Sequence, residues 1–204
     1  MGAAGVGAAA RAAAAWSGRL LARACDELYP RWCVLCGRAM RGCCAESGRY
    51  LCHSCAARLP FIEPPLCPAC GRPYGAVPEP PPRCRACMAR GAGAGELEWV
   101  RSACRSAGGM RQMLHLFKYR RCRWLGLDLA RIGARQLGRW VLAEGWDLLV
   151  PVPLHPRRER ERGFNQAEEL ARHWGRAWAI PVCASSVRRA RPTLPQATLR
   201  PGAR

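Results

Sequence analysis

The sequence predicts an α/β protein with a small zinc-ribbon module made of β-hairpins. Two observations carry this. Four Cys-x-x-C pairs stand at regular spacing between residues 33 and 87. Further on, an apolar run, a helical pattern and a second apolar run follow one another within about 35 residues, the signature of a βαβ unit.

The chain has 204 residues, room for one ordinary domain and a small one, and half of them are apolar. Its formal net charge is +19, from 33 basic and 14 acidic residues, and Lys118 is the only lysine. An excess of this sign points to a polyanion: nucleic acid, phosphate ester or acidic lipid. The arginines are scattered, however, which is also how a solvated surface reads, and a GC-rich coding sequence favours Arg, Ala, Gly and Pro. No stretch reaches the ~20 apolar residues of a membrane span. Residues 1–29 form an Ala-rich N-terminal extension or helix. Arg11 interrupts the alanines and no strongly apolar segment comes after it, so a secretory signal is not expected. The expected location is the cytoplasm, where thiols stay reduced.

Residues 30–90 hold the double ribbon. The pairs are Cys33/Cys36, Cys52/Cys55, Cys67/Cys70 and Cys84/Cys87, separated by 15, 11 and 13 residues. Zinc takes four soft ligands in a tetrahedron, and two thiolates on one tight turn supply an edge of it. Gly37 and Gly71 each follow a pair, where a glycine lets the turn take positive φ. Sequential pairing assigns Cys33, Cys36, Cys52 and Cys55 to one Zn2+ and Cys67, Cys70, Cys84 and Cys87 to a second; an interleaved arrangement is the alternative. Cys43 and Cys44 lie in the first loop and could compete as ligands. Cys25, Cys104, Cys122 and Cys183 read as small buried residues, and His53 as a surface residue. Few large apolar side chains lie in this segment, so metal is expected to hold it together, and chelation to unfold it. The loop RPYGAVPEPPPR reads as a stiff spacer.

A Gly/Ala linker over 88–97 separates the ribbons from a second domain, 97–204. EWVRSACRS alternates weakly, as a strand does. Met110, Met113, Leu114 and Phe117 fall at helical spacing, and a second helix is expected over 124–141, with Leu129, Ile132, Leu137 and Trp140 inward. DLLVPVP, 147–153, is a short strand of the buried parallel kind, and Pro151 and Pro153 stop its ladder. HPRRERERGF is expected as a loop at the sheet's carboxyl edge, where ligands bind in open α/β sheets. It carries Arg157, Arg158, Arg160 and Arg162, and Gly163 permits a sharp bend. Asn165 caps the next helix, with Glu168 completing a capping box. Ala167, Leu170, Ala171, Trp174 and Trp178 form its apolar stripe, and AIPVCASSV is the second strand. The helix start and the arginines share one edge, which suits an anion.

LYPRWCVLCG, LHLFKYRR, DLLVPVPLHPRRERERGFNQAEELA and VRRARPTLPQATL occur in that order. With the double ribbon, they resemble the ComF family of competence-associated, phosphoribosyltransferase-like proteins. The resemblance runs from Asp26 onward. It implies a type I phosphoribosyltransferase-like domain that binds phosphoribosyl pyrophosphate. By this resemblance Arg157, Arg158, Arg162, Gly163, Asn165 and Gln166 approach the pyrophosphate, and Arg191, Thr193 and Gln196 belong to a mobile flap. The family's acidic pair and Thr-Thr-Gly phosphate loop are missing from these residues. The sheet is therefore expected to be incomplete, the chain truncated at its C-terminal end, no catalytic residue assigned, and turnover absent. Mg2+ with phosphoribosyl pyrophosphate belongs to a complete version. The implied role is DNA uptake or DNA utilisation, with a protein of the uptake machinery as a possible partner. The alternative is a zinc-ribbon module that binds single-stranded DNA or a protein.

Overall fold

The computed structural model describes residues 29–40, 48–75, 80–90 and 97–192. The chain divides into two compact units, Met1–Arg58 and Leu59–Arg204.

The first unit is a zinc-ribbon hairpin. Strands β1 (Arg31–Trp32) and β2 (Ala39–Met40) pair antiparallel, Arg31 opposite Met40 and Trp32 opposite Ala39. The turn between them carries Cys33 and Cys36 and closes on Gly37, whose φ of +66° is open to a residue without a Cβ. A one-turn helix, α1 (His53–Ala57), comes directly after Cys52 and presents Cys55 inward. Cys33, Met40, Leu51, Cys52 and Cys55 form the small core. Cys25, Cys43 and Cys44 lie outside the described residues.

The second unit opens with a repeat of the first. Cys67, Cys70 and Gly71 stand 34 residues after Cys33, Cys36 and Gly37. Leu66 bridges Pro73 antiparallel, as Trp32 does Ala39, and a short helix, α2 (Arg85–Ala89), succeeds Cys84 as α1 does Cys52. The ladder is a single bridge here. Pro65 and Pro73 replace Arg31 and Ala39, and proline donates nothing to a ladder.

The helices come next. α3 (Gly108–Tyr119) buries Met110, Met113 and Phe117. A 3₁₀ turn, Arg123–Leu125, leads into α4 (Gly126–Glu144), which Gly145 ends in the left-handed conformation. α4 buries Leu129 and Ala130, while Ile132, Leu137 and Trp140 are half-buried. α5 (Pro156–Arg162) and α6 (Gln166–Trp178) follow. α4 and α6 pack on each other through small residues. Gly133 leaves the notch that Trp174 fills: a Cβ there would lie 2.5 Å from the indole. The Trp174 indole N–H donates to the Ala130 carbonyl at 2.8 Å. Phe117 meets Phe164 at 5.1 Å, joining α3 to the start of α6.

Five expectations need correction. HPRRERERGF is not a loop: Pro156–Arg162 is helical, because Pro156 suits the first helical position and His155 Nδ1 accepts the Arg157 N–H at 3.3 Å. Glu161 then meets Arg157 and Arg158 one turn back. The two expected parallel strands reduce to one bridge, Leu149 to Val182. The Leu149 N–H donates to Pro181 O at 2.8 Å and the Cys183 N–H to Leu149 O at 3.0 Å. Nor is the 147–153 segment buried on both faces, since Leu148, Val150 and Val152 are exposed. EWVRSACRS forms no strand. It lies against the second ribbon, where Cys104 bridges Phe61, and Cys104, Cys122 and Cys183 are half-buried rather than core.

Candidate functional site

The best-defined sites are two cysteine quartets: Cys33, Cys36, Cys52 and Cys55, and Cys67, Cys70, Cys84 and Cys87. In each, the four Sγ atoms lie within 4.8 Å of one another, so the pairs join sequentially. With Zn–S bonds of about 2.3 Å, a tetrahedron has edges of roughly 3.8 Å. Cys36 and Cys52 are 3.7 Å apart at sulfur, Cys70 and Cys84 3.7 Å, and Cys67 and Cys87 4.0 Å. The donor set and its spacing therefore fit zinc. Four thiolates leave no open position for water, which makes these structural centres.

Backbone geometry prepares the sulfurs. The Cys52 N–H donates to Cys33 Sγ at 3.4 Å, and the Cys84 N–H to Cys67 Sγ at 3.4 Å. Burial pushes the Cys33 thiol up, but the N–H groups of Cys52, Cys36 and Leu35 outweigh it and bring it down to about 6. Cys67 is the same case: burial raises it, while the N–H groups of Cys70, Cys84 and Ala69 hold it at about 6. At the far end of each quartet the order reverses. Burial and the neighbouring sulfurs push Cys55 up to about 12. Hydrogen bonding with Cys70 and Cys84 does the same to Cys87, also about 12. Metal binding must displace the protons from these last cysteines, so affinity falls with falling pH. His53 is exposed and stands outside the quartet.

In the C-terminal unit, Arg157 and Arg158 are exposed and paired with Glu161. Arg162 is half-buried, stacks 5.3 Å from the Tyr119 ring and donates to Gln166 Oε1 at 2.8 Å. Gly163 ends α5 with φ of +83°. Asn165 caps α6, its Oδ1 accepting the Ala167 N–H at 3.0 Å, and its Nδ2 reaches back to the Val152 carbonyl at 3.2 Å. Glu168 pairs with Arg172. Arg191 is exposed; Thr193 and Gln196 lie outside the described residues. Arg123 pairs with Glu169 of α6 at 2.7 Å, a contact the sequence did not suggest. Its separation of 46 residues left no local signal.

Fold and quartets together define a double zinc ribbon protein with a helical C-terminal unit. A double zinc ribbon domain profile matches residues 24–88. The chain is similar to the competence protein ComFC of Bacillus subtilis (strain 168), 32% identical over 124 residues, which cover 59% of this chain and 50% of that relative. No solved structure matches. The match spans half the length of the Bacillus protein. Among the described residues no helix is long and apolar enough to cross a membrane.

Proposed function

We propose that this chain is a ComF-family protein that serves DNA uptake in the cytoplasm, and that its C-terminal unit recognises a sugar diphosphate on the type I phosphoribosyltransferase plan. The observation that carries this reading is the parallel pairing of Leu149 with Val182 on either side of α5 and α6. Parallel pairing puts the carboxyl ends of both segments at one edge, where ligands of open α/β sheets bind. Pro151 and Pro153 end the first segment there, and the Asn165 side chain ties the start of α6 to it. The N–H groups at the start of that 13-residue helix favour an anion. Arg157, Arg158, Arg160 and Arg162 stand in sequence between the two segments, and the ligand that suits them is phosphoribosyl pyrophosphate with Mg2+. The competence named for the Bacillus relative supplies the cellular setting.

Calorimetric titration of the zinc-loaded chain with phosphoribosyl pyrophosphate and Mg2+ tests the reading. Saturable binding that Arg158→Ala weakens supports it. Arg158 is exposed, so this change leaves the core intact. No saturable binding by zinc-loaded protein contradicts it.

A further inference from the structure

The two ribbons are repeats, and the second shows how such a knuckle is covered. Its turn, Pro68 to Gly71, is overlaid by the extended segment downstream of the ribbon. The Val100 N–H donates to the Ala69 carbonyl at 2.7 Å. Arg101 Nη1 donates to the Pro68 carbonyl at 2.9 Å. The Val100 carbonyl presses on Gly71 so closely that a Cβ there would lie 2.4 Å from it. Gly71 is consequently buried.

The first ribbon has the same turn, and among the described residues nothing overlays it. Val34, Leu35 and Gly37 stand 34 residues before Pro68, Ala69 and Gly71. Gly37 has φ of +66° against +67° for Gly71, yet it is exposed, and a Cβ built on it meets nothing within 4 Å. Among the described residues no backbone N–H from another segment donates to the carbonyls of Val34 and Leu35. Trp32 is 60% exposed, where its counterpart Leu66 is 7% exposed, and Tyr29, just upstream in sequence, is 82% exposed. Four thiolates holding Zn2+ carry a net double negative charge, so a docked guanidinium is favoured at either knuckle.

We propose that the knuckle of the first ribbon docks an extended segment of another protein, in which an apolar residue is followed by arginine. The apolar residue donates its N–H to the Leu35 carbonyl and lays its own carbonyl over Gly37. The arginine reaches the Val34 carbonyl, as Arg101 does at Pro68. This is recognition by backbone hydrogen bonds at a preformed turn, with the side chains setting specificity.

The probe is a labelled peptide with the sequence of residues 97–105, Cys104 replaced by serine, titrated into the zinc-loaded full chain. The chain's own segment already occupies the second ribbon. The expected result is saturable binding by fluorescence anisotropy. N-methylation of the peptide at the Val100 position removes the donor and weakens binding about tenfold or more. Gly37→Asn in the protein does the same, because asparagine tolerates the left-handed turn while its Cβ occupies the carbonyl's place. Zinc content of the variant confirms that its ribbon is intact. Absence of saturable binding overturns the proposal, as does binding that Gly37→Asn leaves unchanged. So does displacement of the peptide by a single-stranded oligonucleotide that binds more tightly and shows the same dependence on Gly37, since the face would then be a nucleic-acid surface.

Discussion

The two ribbons share a turn, a pattern of N–H groups on sulfur and a helix after the third cysteine, yet they sit in different mechanical settings. Among the described residues, the first has a core of a few side chains and nothing overlaid on its knuckle. The second is locked to the chain just downstream of it. Besides the Val100 and Arg101 contacts, the Ile62 N–H donates to Ala103 O at 3.0 Å and the Arg105 N–H to Pro60 O at 2.9 Å. Arg101 also lies 5.0 Å from the Trp99 ring and 5.6 Å from the Trp140 ring of α4. Identical metal chemistry therefore supports different amounts of structure. A metal centre stabilises whatever is packed on it, and at the second site that includes part of the helical unit.

The largest expected effect breaks the centres one at a time. Cys36→Ser and Cys84→Ser should each leave one zinc per chain, measured by metal analysis. Structural zinc is worth on the order of 10–16 kcal/mol of apparent free energy in small finger peptides. Cys84→Ser should lower the thermal midpoint of the helical unit markedly. Cys36→Ser should leave that midpoint within a few degrees of the unaltered protein.

A smaller effect separates the two glycines. Alanine at either position meets the left-handed backbone, a cost of roughly 1–2 kcal/mol. Gly71→Ala adds a collision with the Val100 backbone and should cost about 1–3 kcal/mol more. Denaturant unfolding followed at tryptophan measures the difference. Equal losses for Gly37→Ala and Gly71→Ala would remove the distinction between the ribbons.

Gly133→Ala serves as a contrast within the second unit. It crowds Trp174 and should destabilise by about 1–3 kcal/mol without changing zinc content. The smallest effect is chemical. Burial, with Glu63 nearby, pushes the Cys104 thiol up to about 11, so little thiolate exists at pH 8. Hydrogen bonds with Ser185 and Ser186 bring Cys183 down to about 7, so its thiolate fraction is high at the same pH. Alkylation mapped by mass spectrometry should find Cys183 fast and Cys104 slow in the unaltered protein and in Cys36→Ser. In Cys84→Ser, Cys104 should become reactive, because exposure returns its thiol toward the ordinary range.

The quartets were legible in the sequence because their information is local. Two thiols three positions apart, a glycine, and a hairpin-length gap already specify the turn, and repetition specifies the partner. The α3 stripe and the Asn165 cap were legible for the same reason. The helix at Pro156–Arg162 reads as a loop from sequence. Its signals are present, a proline at the first helical position, a glycine after the last, and Arg–Glu pairs one turn apart, but the run of charge draws the reading toward a ligand loop. The lock between the second ribbon and residues 97–105 was hidden. It is made of backbone hydrogen bonds and one arginine, across separations of about 30 residues or more, and such contacts leave no pattern in composition. The glycine-rich stretch before it looks like a boundary.

The most direct test is hydrogen exchange on the two zinc-site variants beside the unaltered protein. Loss of the second centre in Cys84→Ser should abolish protection of the Ile62, Val100 and Arg105 amides and weaken it in α3, whereas loss of the first in Cys36→Ser should leave all of these unchanged. Matching footprints for the two variants, or protection at Val100 that survives loss of the second centre, would contradict the account.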